Sequence, residues 1–486
     1  MFLRKIFFVF FITAFLCGCN SSSSGSSNGP GIIDVPVDKI LSNHCFGGKG
    51  YDSACSMAIS SSGIIWIIGE TSSESGNGDV PISKRTGIDI WLFAVDLKKS
   101  EGEQIIYNRC FGGDGLDSGK SVALSSDGKV WVVGNTESTP GSGDIPAKRY
   151  VESDIWVLGI DPNKSEAEQI TYNRCFGGDS YDFASSIAVS SAGVVWVVGF
   201  TESEVGSGDI PSSKHARSDV WLLGIDPKKS ETEQIYYNRC FGGYTNSDDA
   251  WALLLSDDVV WIAGGAYSAS GSGDIPSKHG NNDIWILGIN PKNSEDKQIV
   301  YNRCFGGSGH DYGSSIALSP TGIIWVAGYA KSAPGSGDIP LSKHGVLNDV
   351  WVLGINPQKS ESEQIVYNRC FGGDEHDYAN SITVSSNGIV WVAGYTESTP
   401  GSGDVPTNKH GNIDAWVLGI NPTKTEDKQI VYNHCLGGDK DDRAMLAVAS
   451  NSGQVWAIGE TYSEPGNGDV PIGKHGSCDA WLFRVK

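Results

Sequence analysis

Methionine, positive charge and long apolar runs are all scarce in this chain. Its 486 residues include 63 Gly and 15 Trp but only three Met, a balance typical of tight turns and aromatic-rich strands rather than helices. Lys and Arg number 36 against 57 Asp and Glu, and the formal net charge of -21 argues against recognition of a phosphate backbone. The apolar run over residues 6–16 is too short to span a bilayer as a helix. The sequence therefore predicts neither a nucleic-acid partner nor a membrane-spanning helix.

The N-terminus has the features of a lipoprotein export signal. Arg4 and Lys5 precede the apolar run, the order found in secretory signal peptides. The segment 16–19, Leu-Cys-Gly-Cys, resembles the lipobox of bacterial lipoproteins, which implies fatty acylation, palmitate included, at Cys19; an ordinary signal peptide with a chance cysteine is the alternative. We expect a signal peptide over 1–18, a lipidated Cys19 opening a Ser/Gly-rich tether over 19–37, and attachment to a bacterial envelope membrane on its periplasmic or cell-surface side.

Internal repetition dominates the rest of the chain. The phrase around "NRCFGG" recurs seven times, at intervals of 64 to 66 residues, with its cysteines at Cys45, Cys110, Cys175, Cys240, Cys304, Cys370 and Cys435. An Asp-x-Trp motif also occurs seven times, at Asp89, Asp154, Asp219, Asp283, Asp349, Asp414 and Asp479. Such a period indicates repeated supersecondary units.

Each repeat contains four candidate strands. In one repeat they are 381–385, 389–395, 415–420 and 429–435, rich in Ile, Val, Trp and Tyr and separated by Gly, Pro, Asn and Asp. The second and third strands are nearly continuous apolar runs, so both of their faces should be covered by neighbouring sheets. We therefore predict an all-β fold, a seven-bladed β-propeller of four-stranded blades over residues 38–486, with 14 of the 15 Trp in the core between blades.

The run "CFGGDEHDYANSITVSSNGIVWVAGYTESTPGSGDVP" resembles the seven-bladed β-propeller repeat family of secreted bacterial proteins. The similarity extends over roughly residues 39–486 and returns in every repeat, although the cysteine and the "KHG" loop depart from the family pattern. The resemblance implies an extracytoplasmic propeller, and it implies no catalytic residues and no substrate.

The two ends of the chain are predicted to complete one blade together. The chain ends in "DAWLFRVK", a third strand with no fourth strand after it, whereas it begins its first repeat with "KILSNHC", which reads as a fourth strand. We expect residues 39–45 to add the outer strand to the last blade and so to close the ring.

Loops rich in Asp and His should gather on one face of the propeller. The loop between the second and third strands and the crossover into the next blade both end there, and the weak metal candidates among their residues are Asp209, His215, Asp404 and His410. Carboxylates and imidazoles could hold calcium or a transition metal. Asp beside Gly more often accepts backbone hydrogen bonds that hold a loop in place. No cofactor is predicted, with structural calcium as the open alternative.

One position varies freely from repeat to repeat. Three residues after the crossover Asp, the sequence reads Cys55, Lys120, Ser185, Trp251, Ser314, Asn380 and Met445. This position should lie near the start of the innermost strand, at the mouth of the central channel, and we predict Trp251, Lys120, Asn380 and Met445 as candidate ligand contacts. The alternative for Trp251 is that blade four merely packs differently around it.

Two further cysteines suggest a link across the junction. Cys55 follows the crossover into blade one and Cys478 ends the long loop of blade seven, so ring closure should bring their loops together, and a disulfide is plausible in an exported protein. The seven repeat cysteines should lie too far apart to pair and are interpreted as small buried residues.

The favoured function is a non-catalytic binding scaffold. Catalysis needs a few differently tuned groups at one point, whereas the acidic residues here recur in every repeat. We predict a monomeric, membrane-anchored lipoprotein that binds a protein or glycan through its loop-rich face and channel mouth. The alternative is an extracytoplasmic carbohydrate-active enzyme, a lyase or glycoside hydrolase, with its site at that mouth, and a purely structural role in the envelope is a third hypothesis.

Overall fold

Seven four-stranded antiparallel sheets make up the computed structural model of the protein, which describes residues 40–450 and 453–485. The innermost strand of each sheet contacts the innermost strands of both neighbouring sheets, all the way round. The fold is thus the predicted closed β-propeller of seven blades. The predicted signal peptide, Cys19 and the tether lie outside the described residues.

Blades one to six each use four consecutive strands, β2–β5 to β22–β25, and blade seven combines β26, β27 and β28 with β1. The innermost strands are β2 (Asp52–Ile59), β6 (Asp117–Leu124), β10 (Asp182–Val189), β14 (Asp248–Ser256), β18 (Asp311–Leu318), β22 (Asp377–Val384) and β26 (Asp442–Ala449). The second strands are β3 (Ile65–Thr71), β7 (Val130–Thr136), β11 (Val195–Thr201), β15 (Val259–Ala266), β19 (Ile324–Ala330), β23 (Val390–Thr396) and β27 (Val455–Thr461). The third strands are β4 (Asp89–Val95), β8 (Asp154–Ile160), β12 (Asp219–Ile225), β16 (Asp283–Ile289), β20 (Asp349–Ile355), β24 (Asp414–Ile420) and β28 (Asp479–Arg484). The outer strands are β5 (Ile105–Phe111), β9 (Ile170–Phe176), β13 (Ile235–Phe241), β17 (Ile299–Phe305), β21 (Ile365–Phe371), β25 (Ile430–Leu436) and β1 (Ser42–Phe46).

Helical structure in the described residues is limited to short 3-10 turns between third and outer strands, at Glu295–Lys297, Glu361–Glu363 and Glu426–Lys428. None of the helices in this part of the chain has the length and apolar character needed to cross a membrane.

The core lies between the blades. Every residue of β12, "DVWLLGI", is buried, as expected for a strand covered on both faces. The 14 recurrent Trp are all buried, at 0 to 8% exposure, which confirms the prediction that they form the core. The third-strand Trp also has a polar anchor: Trp221 Nε1 donates to Asn238 Oδ1 at 2.7 Å, and the Asn238 amide donates to the carbonyl of Asp209 at 2.8 Å.

The N-terminal strand closes the ring as predicted. β1 pairs antiparallel with β28, with Cys45 opposite Trp481, and Leu41 N donates to Arg484 O at 2.8 Å. The last blade therefore gains its outer strand from the opposite end of the described chain.

The innermost strands differ from the prediction in where they begin. β22 starts at Asp377 rather than at residue 381, and its register with β23 shifts between Ala379 and Ser381. Asn380 is the extra residue of this β-bulge, and each innermost strand has a bulge at the same place. A bulge aims its side chain differently from the rest of the strand, so the variable position lies in a kinked strand.

Candidate functional site

The crossover loops and the long loops between second and third strands meet on one face, as predicted. Asp79 N donates to Gly47 O at 2.9 Å, and Asp209 N donates to Gly177 O at 2.8 Å. The same contact joins Asp404 N to Gly372 O at 2.8 Å. We call this surface the loop-rich face.

The crossover aspartates hold this face together. Asp182 is fully buried, and its Oδ2 accepts hydrogen bonds from Gly178 N at 2.8 Å and Ser203 Oγ at 2.9 Å. Burial raises the pKa of Asp182 to about 6, against the opposing effect of these hydrogen bonds. The equivalent residues are also fully buried: Asp52, Asp117, Asp248, Asp311, Asp377 and Asp442. These carboxylates have the loop-holding role that the sequence suggests.

The loop histidines bridge neighbouring blades. His215 Nδ1 lies 3.4 Å from Asp219 Oδ2 in its own blade and 3.9 Å from Asp274 Oδ2 in blade four. His279 bridges to Asp338 of blade five in the same way, at 3.6 Å. These contacts belong to the junctions between blades, which we call seams.

The four weak metal candidates do not meet at one point. Asp209 forms an ion pair with Arg174 of the preceding blade at 3.2 Å, whereas His215 of the same loop faces the following blade. Asp404 likewise pairs with Arg369 at 3.5 Å, and His410 lies 4.0 Å from Asp414. Among residues 40–450 and 453–485, no group of three or more His, Cys, Asp or Glu is placed to hold a metal ion.

The candidate contacts at the variable position lie on four different blades, and two of them touch. Asn380 Nδ2 donates to Ala444 O at 2.9 Å and lies 3.7 Å from Met445 Sδ. Trp251 packs against Phe200 of blade three, with ring centroids 6.3 Å apart. All four side chains are half-buried. The bulge thus directs Asn380 sideways, toward the next blade, rather than into open solvent.

A set of aromatic side chains lies at the channel mouth, and the sequence reasoning identified only Trp251 among them. It occupies the position after the crossover Asp, its partner on the second strand, and neighbouring positions. We call it the mouth band, and its members are Phe183, Phe200, Trp251, Tyr267, Tyr312, Tyr329, Tyr378 and Tyr395.

The rings of the mouth band contact one another across seams. Tyr312 stacks on Tyr329 with centroids 4.6 Å apart, Tyr329 meets Tyr378 of the next blade at 5.0 Å, and Tyr378 stacks on Tyr395 at 4.9 Å. The equivalent places in blade one hold Ser53 and Glu70, which pair across β2 and β3. The aromatic surface therefore covers blades three to six and is absent from blade one, unlike the sevenfold core.

Two acids, the half-buried Asp249 and the buried Glu460, accompany the mouth band. Burial, and then the neighbouring Asp248, raises the pKa of Asp249 to about 7, and the side chains of Trp251 and Tyr267 lie beside it. Burial also raises the pKa of Glu460 in blade seven, where Tyr51 Oη donates to Glu460 Oε2 at 3.2 Å and Arg443 pairs with Oε1 at 3.3 Å. Glu460 has an arginine as an ionic partner, whereas Oδ1 of Asp249 has no hydrogen-bond partner.

The proposed disulfide is not formed in the structure, where Cys55 and Cys478 are both free thiols. Their loops do meet, because Asp52 N donates to Cys478 O at 2.9 Å. Cys55, however, is the bulge residue of β2, and its Sγ lies 3.1 Å from Gly119 O of blade two, while Cys478 Sγ lies 3.6 Å from Asp52 O. The bulge turns Cys55 away from blade seven.

A signal for the mouth band exists in the sequence. The residue after the crossover Asp reads Ser53, Ser118, Phe183, Asp249, Tyr312, Tyr378 and Arg443 around the ring, so it varies as freely as the position chosen. A strand that begins at residue 381 leaves this position in the loop, whereas in the structure Tyr378 pairs with Tyr395 of the second strand.

Comparisons with known proteins add little beyond the fold. No protein-family description matches the chain. The chain is similar to the regulatory protein FlaEY of Caulobacter vibrioides, with 22% identity over 396 residues, which cover 77% of this chain and 39% of that protein. The chain thus spans about two fifths of the length of the curated relative that it matches.

Solved propellers resemble the chain only distantly. The WD40 propeller domain of Doa1 has a TM-score of 0.45 and 10% identity, covering 91% of this chain and 96% of that one. BamB from Moraxella catarrhalis has a TM-score of 0.39 and 12% identity, covering 92% and 99%. The gluconolactonase XC5397 of Xanthomonas campestris has 0.35 and 9%, covering 93% and 99%. These scores are too low to carry functional information, and the seven-bladed fold rests on the strand pairing described above.

Proposed function

We propose that the protein is an exported lipoprotein, anchored through Cys19, whose β-propeller binds a protein or glycan at the channel mouth without catalysing a reaction. The observation that carries the binding role is the mouth band. Aromatic rings such as Tyr378 and Tyr395 occupy one arc of the mouth, whereas blade one has Ser53 and Glu70 at the corresponding positions. The core follows the sevenfold repeat, whereas this surface departs from it. A surface that binds one particular ligand requires such a departure.

Retention of ligands by the immobilised full-length protein tests the binding role. A panel of glycans and a fraction of envelope proteins would be passed over wild-type protein and over the Tyr395→Ala variant. We expect retention to fall about tenfold or more in Tyr395→Ala, as for an aromatic residue central to an interface. Val366→Ala is the matched control, because Val366 is exposed on the outer strand β21, far along the blade from the mouth. Equal retention by all three proteins would overturn the proposal.

The anchor is tested in cells that are fed a labelled fatty acid. Cys19→Ala should abolish labelling and release the protein from the membrane fraction, whereas Cys17→Ala, two residues earlier in the same segment, should leave both unchanged. Labelling of Cys19→Ala at the wild-type level would contradict acylation at this residue.

A carbohydrate-active enzyme is the second candidate, and Asp249 is the observation in its favour. A half-buried acid with a pKa of about 7 has the property required of a general acid. The same glycan panel separates the two functions when released products are measured. Product formation that Asp249→Asn abolishes would establish the enzyme, and retention without products supports the scaffold.

A further inference from the structure

Blade four is where the loop-rich face departs furthest from its repeat. Its crossover runs eight positions from Cys240 to Asp248, whereas the others run seven, as from Cys175 to Asp182. Its second strand carries Gly265 where the other blades carry Glu, Asn, Phe or Tyr. The mouth of this blade is therefore built differently.

Three side chains from separate segments converge above Gly265. Measured from the point that a Cβ at Gly265 would occupy, Asn282 Oδ1 and Asp249 Oδ1 each lie at 3.0 Å, and Tyr267 Cε2 lies at 3.2 Å. A Cβ at this position would be in unusually tight contact with them, so the glycine leaves room for the three side chains. Blade four thus exchanges one side chain for a cluster of polar groups.

Several polar atoms of this cluster have no hydrogen-bond partner in the protein. Asn282 is fully buried, and neither its Nδ2 nor its Oδ1 has a hydrogen-bond partner; the same holds for Asp249 Oδ1 and for Nδ1 of the adjacent His310. Many other buried atoms without partners recur at equivalent positions of several blades, such as Oδ1 of Asp117 and Asp182. The amide oxygen of Asn348, at the position of Asn282 in blade five, also lacks a partner, but its Nδ2 donates to Tyr378 Oη at 2.9 Å, whereas both polar atoms of Asn282 lack one. Buried polar groups are normally paired, so this group lacks a partner that something else can supply.

A pocket opens directly beside these residues. Its volume is about 730 Å³, and it is lined by residues from blade four and the following crossover, among them Thr245, Asn246, Tyr267, Asn281 and His310. Tyr267 and His310 belong both to the pocket wall and to the cluster, and Asn281 precedes Asn282. The unpartnered Nδ1 of His310 therefore belongs to a residue of the pocket wall.

The lining selects among ligand chemistries. It combines hydroxyl and amide side chains with the ring of Tyr267, the imidazoles of His279 and His310 and one lysine, and this polar wall does not suit an apolar peptide side chain. The one lysine of the wall, Lys278, already donates to the carbonyls of Ala266, Gly280 and Asn281 at 3.2, 3.0 and 2.7 Å. His279 Nδ1 lies 3.6 Å from Asp338 Oδ2, so both groups already have partners and the wall favours a neutral ligand over an anion. Sugar hydroxyl groups both donate and accept, and a sugar ring can pack against tyrosine.

We propose that the pocket between blades four and five, with Tyr267, Asn282 and His310, is a subsite for one neutral sugar residue of a glycan. This inference rests on the proposed function and specifies its ligand. The hydroxyl groups of the sugar satisfy the amide of Asn282 and the imidazole of His310 once the ring of Tyr267 moves aside. Asp249, whose Oδ1 also lacks a partner, is a further hydrogen-bonding group for the sugar.

The test is binding of neutral oligosaccharides to full-length protein in detergent, measured by calorimetry. Maltohexaose, cellohexaose and chitohexaose are the probes, and polygalacturonate is the acidic comparison. We expect at least one neutral probe to bind, with affinity reduced about tenfold or more in His310→Ala and in Tyr267→Ala. His376→Ala is the matched control, because His376 precedes the crossover Asp377 of blade six as His310 precedes Asp311, and it should bind within about twofold of wild type.

Failure of this inference is distinguishable from failure of the proposed function. A neutral glycan that binds wild type, His310→Ala and Tyr267→Ala equally, or that is lost only in Tyr395→Ala, would overturn the subsite while leaving binding at the channel mouth intact. Binding of polygalacturonate but of no neutral probe would overturn the assignment to neutral sugars, and so would retention of a protein alone. Unchanged near-ultraviolet circular dichroism of each variant shows that a loss of affinity is not a loss of folding.

Discussion

Trp481 Nε1 donates a hydrogen bond to Asn43 Oδ1 at 2.5 Å, across 438 positions of sequence. The same pair occurs inside blade three, where Trp221 donates to Asn238 at 2.7 Å. The junction between the two ends of the chain thus reproduces a contact of the repeat, and blade seven is completed by a strand that is not continuous with it.

The Asn43→Ala variant should therefore weaken ring closure. Removing the acceptor leaves a buried indole N–H without a partner, which costs about 1–3 kcal/mol of unfolding free energy. Asn238→Ala is the matched control, since it removes the same contact within a continuous blade. We expect similar losses in urea unfolding but faster amide hydrogen exchange in blade seven for Asn43→Ala alone. Identical exchange in the two variants would show that the closing strand is no weaker than the others.

The two kinds of tryptophan should differ in their contribution to stability. Trp221 is fully buried between blades, so Trp221→Ala should lower the free energy of unfolding by about 3–5 kcal/mol. Trp251 is half-buried at the channel mouth, and Trp251→Ala should cost less than half as much. Denaturant unfolding followed by fluorescence measures both, and an equal loss would assign Trp251 to the core.

Acidification should loosen the two seams beside blade seven. The position before the repeat cysteine is Arg in five repeats but His44 and His434 in the other two. Burial lowers the pKa of both histidines below 6.5, although Glu101 acts against this at His44 and Asp469 does so at His434. Because the unfolded chain then binds protons more readily, their contribution to stability is present above pH 6.5 and is lost as the pH falls through their folded pKa values.

The double variant His44→Arg/His434→Arg tests this pH dependence. Arginine stays charged throughout, so the variant should lose less thermal stability than wild type between pH 7 and pH 5. Calorimetric melting temperatures at the two pH values provide the measurement. His376→Gln, outside these seams, should retain the wild-type dependence. If the double variant loses as much thermal stability as wild type, the two histidines do not cause the pH dependence.

The thiols of Cys55 and Cys478 should remain free and slow to react. Burial raises the pKa of Cys55 to about 12 and that of Cys478 well above its usual range, which leaves little thiolate at neutral pH. Non-reducing peptide mapping should recover the two residues in separate peptides. Alkylation should proceed only after unfolding in guanidinium. A linked peptide that contains both cysteines, recovered from non-reduced protein, would show that the disulfide forms.

The strands could be predicted from sequence wherever their composition is locally distinctive. β23 (Val390–Thr396) and β24 (Asp414–Ile420) lie within a residue of the predicted bounds, because Ile, Val and Trp mark a strand without reference to its partners. The predicted start of β22 is four residues late, because the first half of this strand lacks the apolar run that marks the other strands. That half faces the channel mouth, so the usual apolar pattern is missing at the functional surface.

The mouth band and the seams could not be predicted in the same way. His215 and Asp209 share a loop in the sequence, yet they face opposite seams, with partners Asp274 and Arg174. The repeat period of the sequence identifies which residues are equivalent. It does not show whether a side chain contacts its own blade or a neighbouring blade. The cluster of Asp249, Tyr267 and Asn282 above Gly265 could not be predicted for the same reason.

The sequence alone determined the number of blades, the Trp core and the closing strand, because these follow from patterns that repeat about every 65 residues and from one strand missing at the C-terminus. Only the tertiary structure decided which side chains meet at the channel mouth, where the bulge of each innermost strand turns residues such as Cys55 and Asn380 toward a neighbouring blade. Those contacts join residues roughly one repeat apart, and their geometry depends on the angle between blades, which no local pattern encodes.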